Sequence, residues 1–257
     1  MKIIVLMKQV ANKDAILRIG RDEKWIEESD LSYVTNESDG YALEEALRLK
    51  EKKGAGEVVV CSLGPRRAQS TIKDALARGA DRAIHIVVDD ANQLSPFQIA
   101  GSIAEAIRGE NADLVMTGLQ SDDNSYSQTG VILAELLGIP HATIVIDIDA
   151  SGADFRIKRE LESGWYQWFT YPLPSLLTIQ SGISQIRYAS LKGIMAAKKK
   201  EIREVAPVAI DGFVSAQKIQ KVYLPLKTKQ TQMLGGGDAK KGAAELVEKL
   251  KTEVRVL

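Results

Sequence analysis

The chain has 257 residues, 45% of them apolar, with 34 basic and 34 acidic side chains and no formal net charge. That length suits one large α/β domain, or a domain with an extension, and the apolar share suffices for a core. The neutral balance argues against a general nucleic-acid binder, the single cysteine rules out an internal disulfide framework, and no apolar run approaches a membrane-spanning helix.

Met1 to Lys8 lacks the pattern of a signal peptide and is expected to form the first strand, over residues 2–7. The expected compartment is a reducing cytoplasm. A polar loop follows to about Asp39, in which Trp25-Ile26 could form a short edge strand. Asn36 is placed to cap a helix, with Asp39 in the capping-box position. That helix has a broad apolar face in Ala42, Leu43, Ala46, Leu47 and Leu49, and Gly54 and Gly56 end it.

Residues 58–63 are nearly all apolar, as in a strand buried on both faces. Cys61 lies within this run and is expected to pack as a small hydrophobe. Gly64-Pro65 turns the chain into a helix that Gly79 closes. A strand over 82–88 and a helix from Ser95-Pro96 to about Gly109 follow. A short strand at 113–117 leads into a long polar loop, a helix ending at Gly138, and a strand over 142–148. The repeated strand–helix rhythm predicts an α/β fold with a parallel sheet and helices on both faces.

The rhythm then changes. Residues 155–161 and 165–171 alternate around Ser163-Gly164, predicting a β-hairpin. Its aromatics, Trp165, Tyr166, Trp168, Phe169 and Tyr171, fall on both faces of one strand. That fits a core on one side and a subunit interface on the other. A last apolar strand spans 175–180. Gly235-Gly236-Gly237 forms a joint before Asp238, which caps a helix over about 239–251. The division expected is a nucleotide-binding domain over 1–190 and, over 191–257, an arm that lies on a partner rather than completing the core.

The most informative segment is the loop after the strand at 113–117: Gly118, Leu119, Gln120, Ser121, Asp122, Asp123, Asn124, Ser125, Tyr126, Ser127, Gln128, Thr129 and Gly130. A strand, a loop of small polar residues and a helix start together form a site for phosphate or nucleotide. The helix start offers unpaired N–H groups and a partial positive charge. Side-chain catalysis has little support. The first strand lacks a Gly-x-Gly-x-x-Gly fingerprint, and the glycine spacing from Gly237 to Gly242 lacks the Lys-Ser/Thr of a P-loop. His85 lies in a strand and suits a structural role. His141, at a strand start after Pro140, is a weaker candidate ligand contact. No Ser/His/Asp elbow or metal-ligand spacing is present.

Several segments, taken in order, resemble the β subunit of electron transfer flavoproteins. They are Val5-Leu6-Met7-Lys8-Gln9-Val10, the helix from Leu43 to Lys50, Gly64-Pro65, the stretch from Ala75 to Ala83, and the loop from Gly118 to Gly130. Lys158 to Gly164 is similar to the family's hairpin. Arg187, Tyr188, Ala189, Ser190 and Leu191, followed by Lys198, Lys199 and Lys200, are similar to its partner-recognition loop. The resemblance implies a three-layer, Rossmann-like fold of the adenine-nucleotide-hydrolase type. Its sheet is mostly parallel, with a β-hairpin and an extended C-terminal arm.

The resemblance further implies a heterodimer with an α subunit that holds most of a redox-active FAD, while this chain binds a structural AMP. The pair takes electrons from acyl-CoA-type dehydrogenases, as in fatty acid oxidation, and passes them to a quinone oxidoreductase. Carried over by position, the AMP site comprises Leu6, Asn36, Glu37, Ser38, Asp39, Leu63 and residues 118–129. Phosphate is expected at the helix starts near Asn36 and Ser127, with Ser125, Ser127, Gln128 and Thr129 as side-chain donors. Leu191 is the expected anchor into the dehydrogenase, and the lysines suit steering of an acidic partner.

Bifurcating members of the family hold a second FAD in this pocket, with NADH as donor, on a loop typically reading Ala-Ile-Asp-Gly-Asp-Thr-Ala-Gln-Val-Gly. Here no glycine follows the aspartates and Thr129 replaces the valine, which favours AMP. A third reading, an adenine-nucleotide-sensing module, does not need residues 185–257.

Overall fold

The computed structural model describes residues 1–152, 155–208, 219–226 and 229–256. Eleven strands and six α-helices form among them. The central sheet has nine strands in the order β11-β5-β4-β1-β6-β10-β7-β8-β9. Its parallel part comprises β1 (Lys2–Leu6), β4 (Glu57–Gly64), β5 (Arg82–Val87), β6 (Leu114–Gly118), β7 (His141–Asp149), β10 (Ser175–Ile179) and β11 (Ile202–Val205). The antiparallel hairpin of β8 (Arg156–Glu160) and β9 (Tyr166–Thr170) extends one edge.

Alternation along β1 builds two cores. Ile3 and Val5 join Leu43, Ala46 and Leu47 of α1 (Glu37–Lys53) and Ile72 and Leu76 of α2 (Gln69–Arg78). Ile4 and Leu6 face Ile103 and Ile107 of α3 (Pro96–Arg108) and Leu133 of α4 (Thr129–Leu137). The result is the expected three-layer, Rossmann-like sandwich. A strand buried on both faces must be apolar at every position, which is why β1, β4 and β6 show no polar alternation.

The chain runs outward from β1 through β4 to β5, and α3 then carries it back to β6 on the other side of β1. Such a reversal opens a crevice at the carboxyl ends of the strands, where open α/β sheets bind ligands. Gly130 sets the packing of α4 beside that crevice. A Cβ there would lie 2.8 Å from Thr117 Cγ2 and 2.9 Å from Thr178 Cγ2, so the helix start rests directly on β6 and β10.

Three local expectations change. The polar loop contains a two-stranded ribbon, β2 (Gln9–Ala11) against β3 (Tyr33–Thr35), too short to show alternation in sequence. Trp25-Ile26 contributes a single bridge, Ile19 to Ile26, rather than a strand. Asn36 precedes α1, but its side chain does not cap the helix, and no capping box forms there. Ser95 does form one with Gln98 at α3.

Residues 191–205, assigned from sequence to the arm, contribute α5 (Leu191–Ala197) and edge strand β11; α5 packs on α2, and Ala197 joins the core on that face. Chain contacts separate two units, Met1–Val222 and Tyr223–Leu257. In the second, Asp238 accepts hydrogen bonds from Lys240 N and Lys241 N and caps α6 (Ala239–Lys249). Among the described residues, no helix is long and apolar enough to cross a membrane.

Candidate functional site

The ends of β1, β4 and β6 open onto a cleft that Leu6, Leu63 and Gly118 line. Pro96, Ile99 and Ile103 give it an apolar wall, Asn36 and Asp39 a polar edge, and the loop between β6 and α4 a rim. Of the residues expected there, Leu6, Asn36, Asp39, Leu63, Gly118, Leu119, Gln120, Ser121, Asp123, Asn124, Tyr126, Ser127, Gln128 and Thr129 do line this cleft. Glu37, Ser38, Asp122 and Ser125 sit beside it and act on the loop or the α1 start, as described below.

Asp39 lies in the first turn of α1, yet both its oxygens bond to strand ends. Lys8 N donates to Oδ2 at 2.8 Å, and Gly118 N donates to Oδ1 at 2.9 Å. One buried carboxylate thus ties the end of β1 to the end of β6. Burial pushes its pKa up to about 7, against the two N–H bonds and the charge of Lys8, which hold it down. Only glycine fits opposite, because a Cβ at Gly118 would lie 2.5 Å from Asp39 Oδ1 and 2.7 Å from Asp39 N.

Asn36 and Ser38 reach the loop instead of their own helix. Asn36 Nδ2 donates to Gln120 O at 2.9 Å, and Ser38 Oγ donates to the same oxygen at 2.8 Å. Asp122 N donates to Asn36 Oδ1 at 2.9 Å. The carboxylate of Asp122 then accepts from Glu37 N at 3.2 Å, so the loop supplies the anion that the α1 start favours. Of the two helix starts expected to meet phosphate, this one is occupied by the protein's own aspartate.

The neighbouring aspartate has a separate role. Lys8 Nζ lies 2.6 Å from Asp123 Oδ1 and 3.3 Å from Ser121 Oγ. Burial raises the pKa of Asp123, but the charge and hydrogen bond of Lys8 outweigh it and hold the carboxyl below its ordinary value. Lys8 was not singled out from sequence. Its position directly after β1, with an aspartate-rich loop elsewhere, was the available signal.

Past Asn124 the loop turns sharply. Ser125 and Ser127 adopt left-handed conformations, with φ of 51° and 54°. Ser127 Oγ donates to Gln120 Oε1 at 3.0 Å and closes the loop on itself. No side chain caps α4 at Gln128, so its first N–H groups face the cleft without a cap.

The remaining candidates lie elsewhere. His85 is fully buried, its Nε2 3.1 Å from Gly64 O, as a structural histidine would be. Burial pushes the Cys61 thiol up to about 12, which keeps it inert. His141 opens β7 and does not line the cleft.

Tyr188 and Leu191 are 94% and 84% exposed. Between them Ala189 packs on the core and Ser190 Oγ accepts from Gly193 N, capping α5. Arg187, by contrast, bonds to Glu44 and Glu51 of α1. Lys198 and Lys199 are exposed, whereas Lys200 Nζ donates to Leu76 O at 2.9 Å, and also to Ala80 O, at the end of α2.

These features define a Rossmann-like α/β domain with a cleft at its switch point. A family profile described as "Electron transfer flavoprotein domain" matches residues 24–210. The electron transfer flavoprotein subunit beta of Methylophilus methylotrophus is 39% identical, over 91% of this chain and 93% of its own length. The subunit of the same name from Bradyrhizobium diazoefficiens is 37% identical over the whole of both chains, and that from Homo sapiens 35%, over 80% of this chain and 82% of its own. The chain belongs to the electron transfer flavoprotein family, among its β subunits.

Proposed function

We propose that this chain holds one AMP in the cleft and presents a dehydrogenase-recognition segment, while an α subunit binds most of the FAD that carries the electrons. The observation that carries this reading is the way the ionisable groups of the cleft are spent. Asp39, Asp123 and Lys8 are each bonded to protein groups that hold the loop. These three groups are spent on the architecture of the cleft, which suits a subunit that binds and shields its ligand.

The residues present fit AMP. Leu6, Leu63 and Ile99 provide an apolar slot for the base, and the uncapped start of α4, with Gln128 and Thr129, provides donors for a phosphate. The loop's bonds to Asn36, Ser38 and Lys8 make a pinned wall, which supports a compact nucleotide over a second FAD. FAD supplies the reversible uptake of electrons. This chain's own residues position the partners and exclude water.

The donor is an acyl-CoA-type dehydrogenase, as in fatty acid oxidation, and the acceptor a quinone oxidoreductase. Leu191 is the docking anchor, with Tyr188 beside it and Lys198 and Lys199 as nearby steering charges. The outer face of the hairpin, where Arg156 lies over the Trp168 ring and Lys158 over the Tyr166 ring, supports a subunit interface there. Exposed Leu226 and Met233, 89% and 90% accessible, support an arm that packs on the α subunit. The test is Leu191→Ala in the pair purified with its α subunit. The KM for an acyl-CoA dehydrogenase should rise about tenfold with flavin and AMP retained; unchanged kinetics would remove the anchor.

A further inference from the structure

Glu44 lies on α1, away from the cleft, with a side chain only 3% exposed. A buried carboxylate needs partners, and this one has four donors. Arg187 N and Arg187 Nε donate to Oε2 at 3.0 Å and 2.9 Å. Arg187 Nη2 and Arg48 Nε donate to Oε1 at 3.1 Å and 2.8 Å. Burial opposes ionisation of Glu44, but its bonds to Arg187 and Arg48 outweigh it, so the carboxylate stays charged at neutral pH.

Glu51 takes what remains of the fork, with Arg187 Nη1 at 2.5 Å and Nη2 at 3.0 Å. Arg48 Nη2 also donates to Gln185 O at 3.3 Å. Residues 185–187 are therefore stitched to α1. A second anchor follows, where a Cβ at Gly193 would collide with Ala77 O, so α5 presses on the end of α2. Tyr188 and Leu191 stand exposed between the two anchors.

Exposed apolar side chains tend to fold back onto nearby apolar surface. Holding them outward calls for a fixed backbone on both sides, and such preorganisation raises affinity by lowering the ordering cost of docking. The guanidinium of Arg187 is committed inward, which leaves Tyr188 and Leu191 as the outward contacts. We propose that Glu44 is a positioning residue for partner docking, fixing the backbone at Arg187 so that Tyr188 and Leu191 are presented in binding geometry. This rests on the reading of Leu191 as the docking anchor.

The test compares wild type, Glu44→Gln, Arg187→Lys and Leu191→Ala, each as the pair purified with its α subunit. Two quantities are read: the rate of trypsin cleavage after residue 187, and KM and kcat for reduction by an acyl-CoA dehydrogenase. Glu44→Gln keeps the side-chain shape and removes the charge. It should speed cleavage about tenfold and raise KM about fivefold, with kcat, flavin and nucleotide content unchanged. Arg187→Lys loses the fork and should do the same. If both variants keep wild-type cleavage and KM while Leu191→Ala raises KM, the anchor stands and the role of Glu44 is overturned. If Leu191→Ala leaves KM unchanged, the anchor reading falls and this inference falls with it.

Discussion

Asn36 Oδ1 accepts the N–H of Asp122 at 2.9 Å, while the Asp122 carboxylate accepts the N–H of Glu37, the residue after Asn36, at 3.2 Å. The two residues are 86 positions apart in sequence. Each supplies what the other's segment lacks: an acceptor for the loop backbone, and an anion for the start of α1. The cleft rim and the first helix are thereby one structure.

Asn36→Ala removes the bonds to Gln120 O, to Asp122 N and to Ser38 Oγ together. It should cost about 2–3 kcal/mol, because these partners are largely buried and are left unsatisfied. Urea unfolding measures the loss, and amide exchange should show it concentrated in residues 119–125. A loss spread evenly over the sheet would contradict the assignment.

Gly118→Ala should destabilise by roughly 1–3 kcal/mol, because the new Cβ must displace the Asp39 backbone and carboxylate. Gly109→Ala is the control. Nothing lies within 4 Å of a Cβ there, so that variant should match or slightly exceed wild type. The urea midpoints of the two variants should therefore fall on opposite sides of, or clearly apart from, one another.

Asp39 carries a pH signature of definite sign. Its pKa is raised from 3.8 in the unfolded reference to about 7 in the fold. The folded protein then binds the proton more tightly, so the stabilisation is complete below pH 4 and is lost as pH rises through 7. Asp39→Asn cannot ionise. The stability of wild type relative to this variant should fall between pH 4 and pH 8 by up to about 4 kcal/mol. A constant difference across that range, by urea unfolding, would contradict the burial cost assigned to Asp39.

Ser127 adopts a left-handed conformation that a β-branched side chain tolerates poorly. Ser127→Val should weaken AMP binding about tenfold by displacing the rim beside the α4 start, whereas Ser127→Gly should stay within about threefold of wild type. Isothermal titration of the nucleotide-stripped pair separates the two.

Much of the sheet was legible because strands buried on both faces are unbroken apolar runs, and because glycines mark the ends of α1, α2 and α4. The ribbon of β2 and β3 was not legible, since three-residue strands carry no period. The cleft was legible as a loop between a strand and a helix, but the use of its charges was not. Asn36 and Asp39 match a helix-capping pattern, and only the fold shows them turned toward Gln120 and Gly118, some 80 positions away. The Asp122-Asp123 pair had no account in sequence for the same reason: one aspartate serves α1 and the other serves Lys8.

The central claim is that this cleft holds AMP in a subunit whose electrons travel on a flavin bound mainly by its partner. The most direct measurement is the nucleotide released on denaturing the chain purified together with its α subunit. The account predicts one FAD and one AMP per pair. Two FAD and no AMP would contradict it in favour of a bifurcating protein, and adenine nucleotide with no flavin would contradict it in favour of a sensing module.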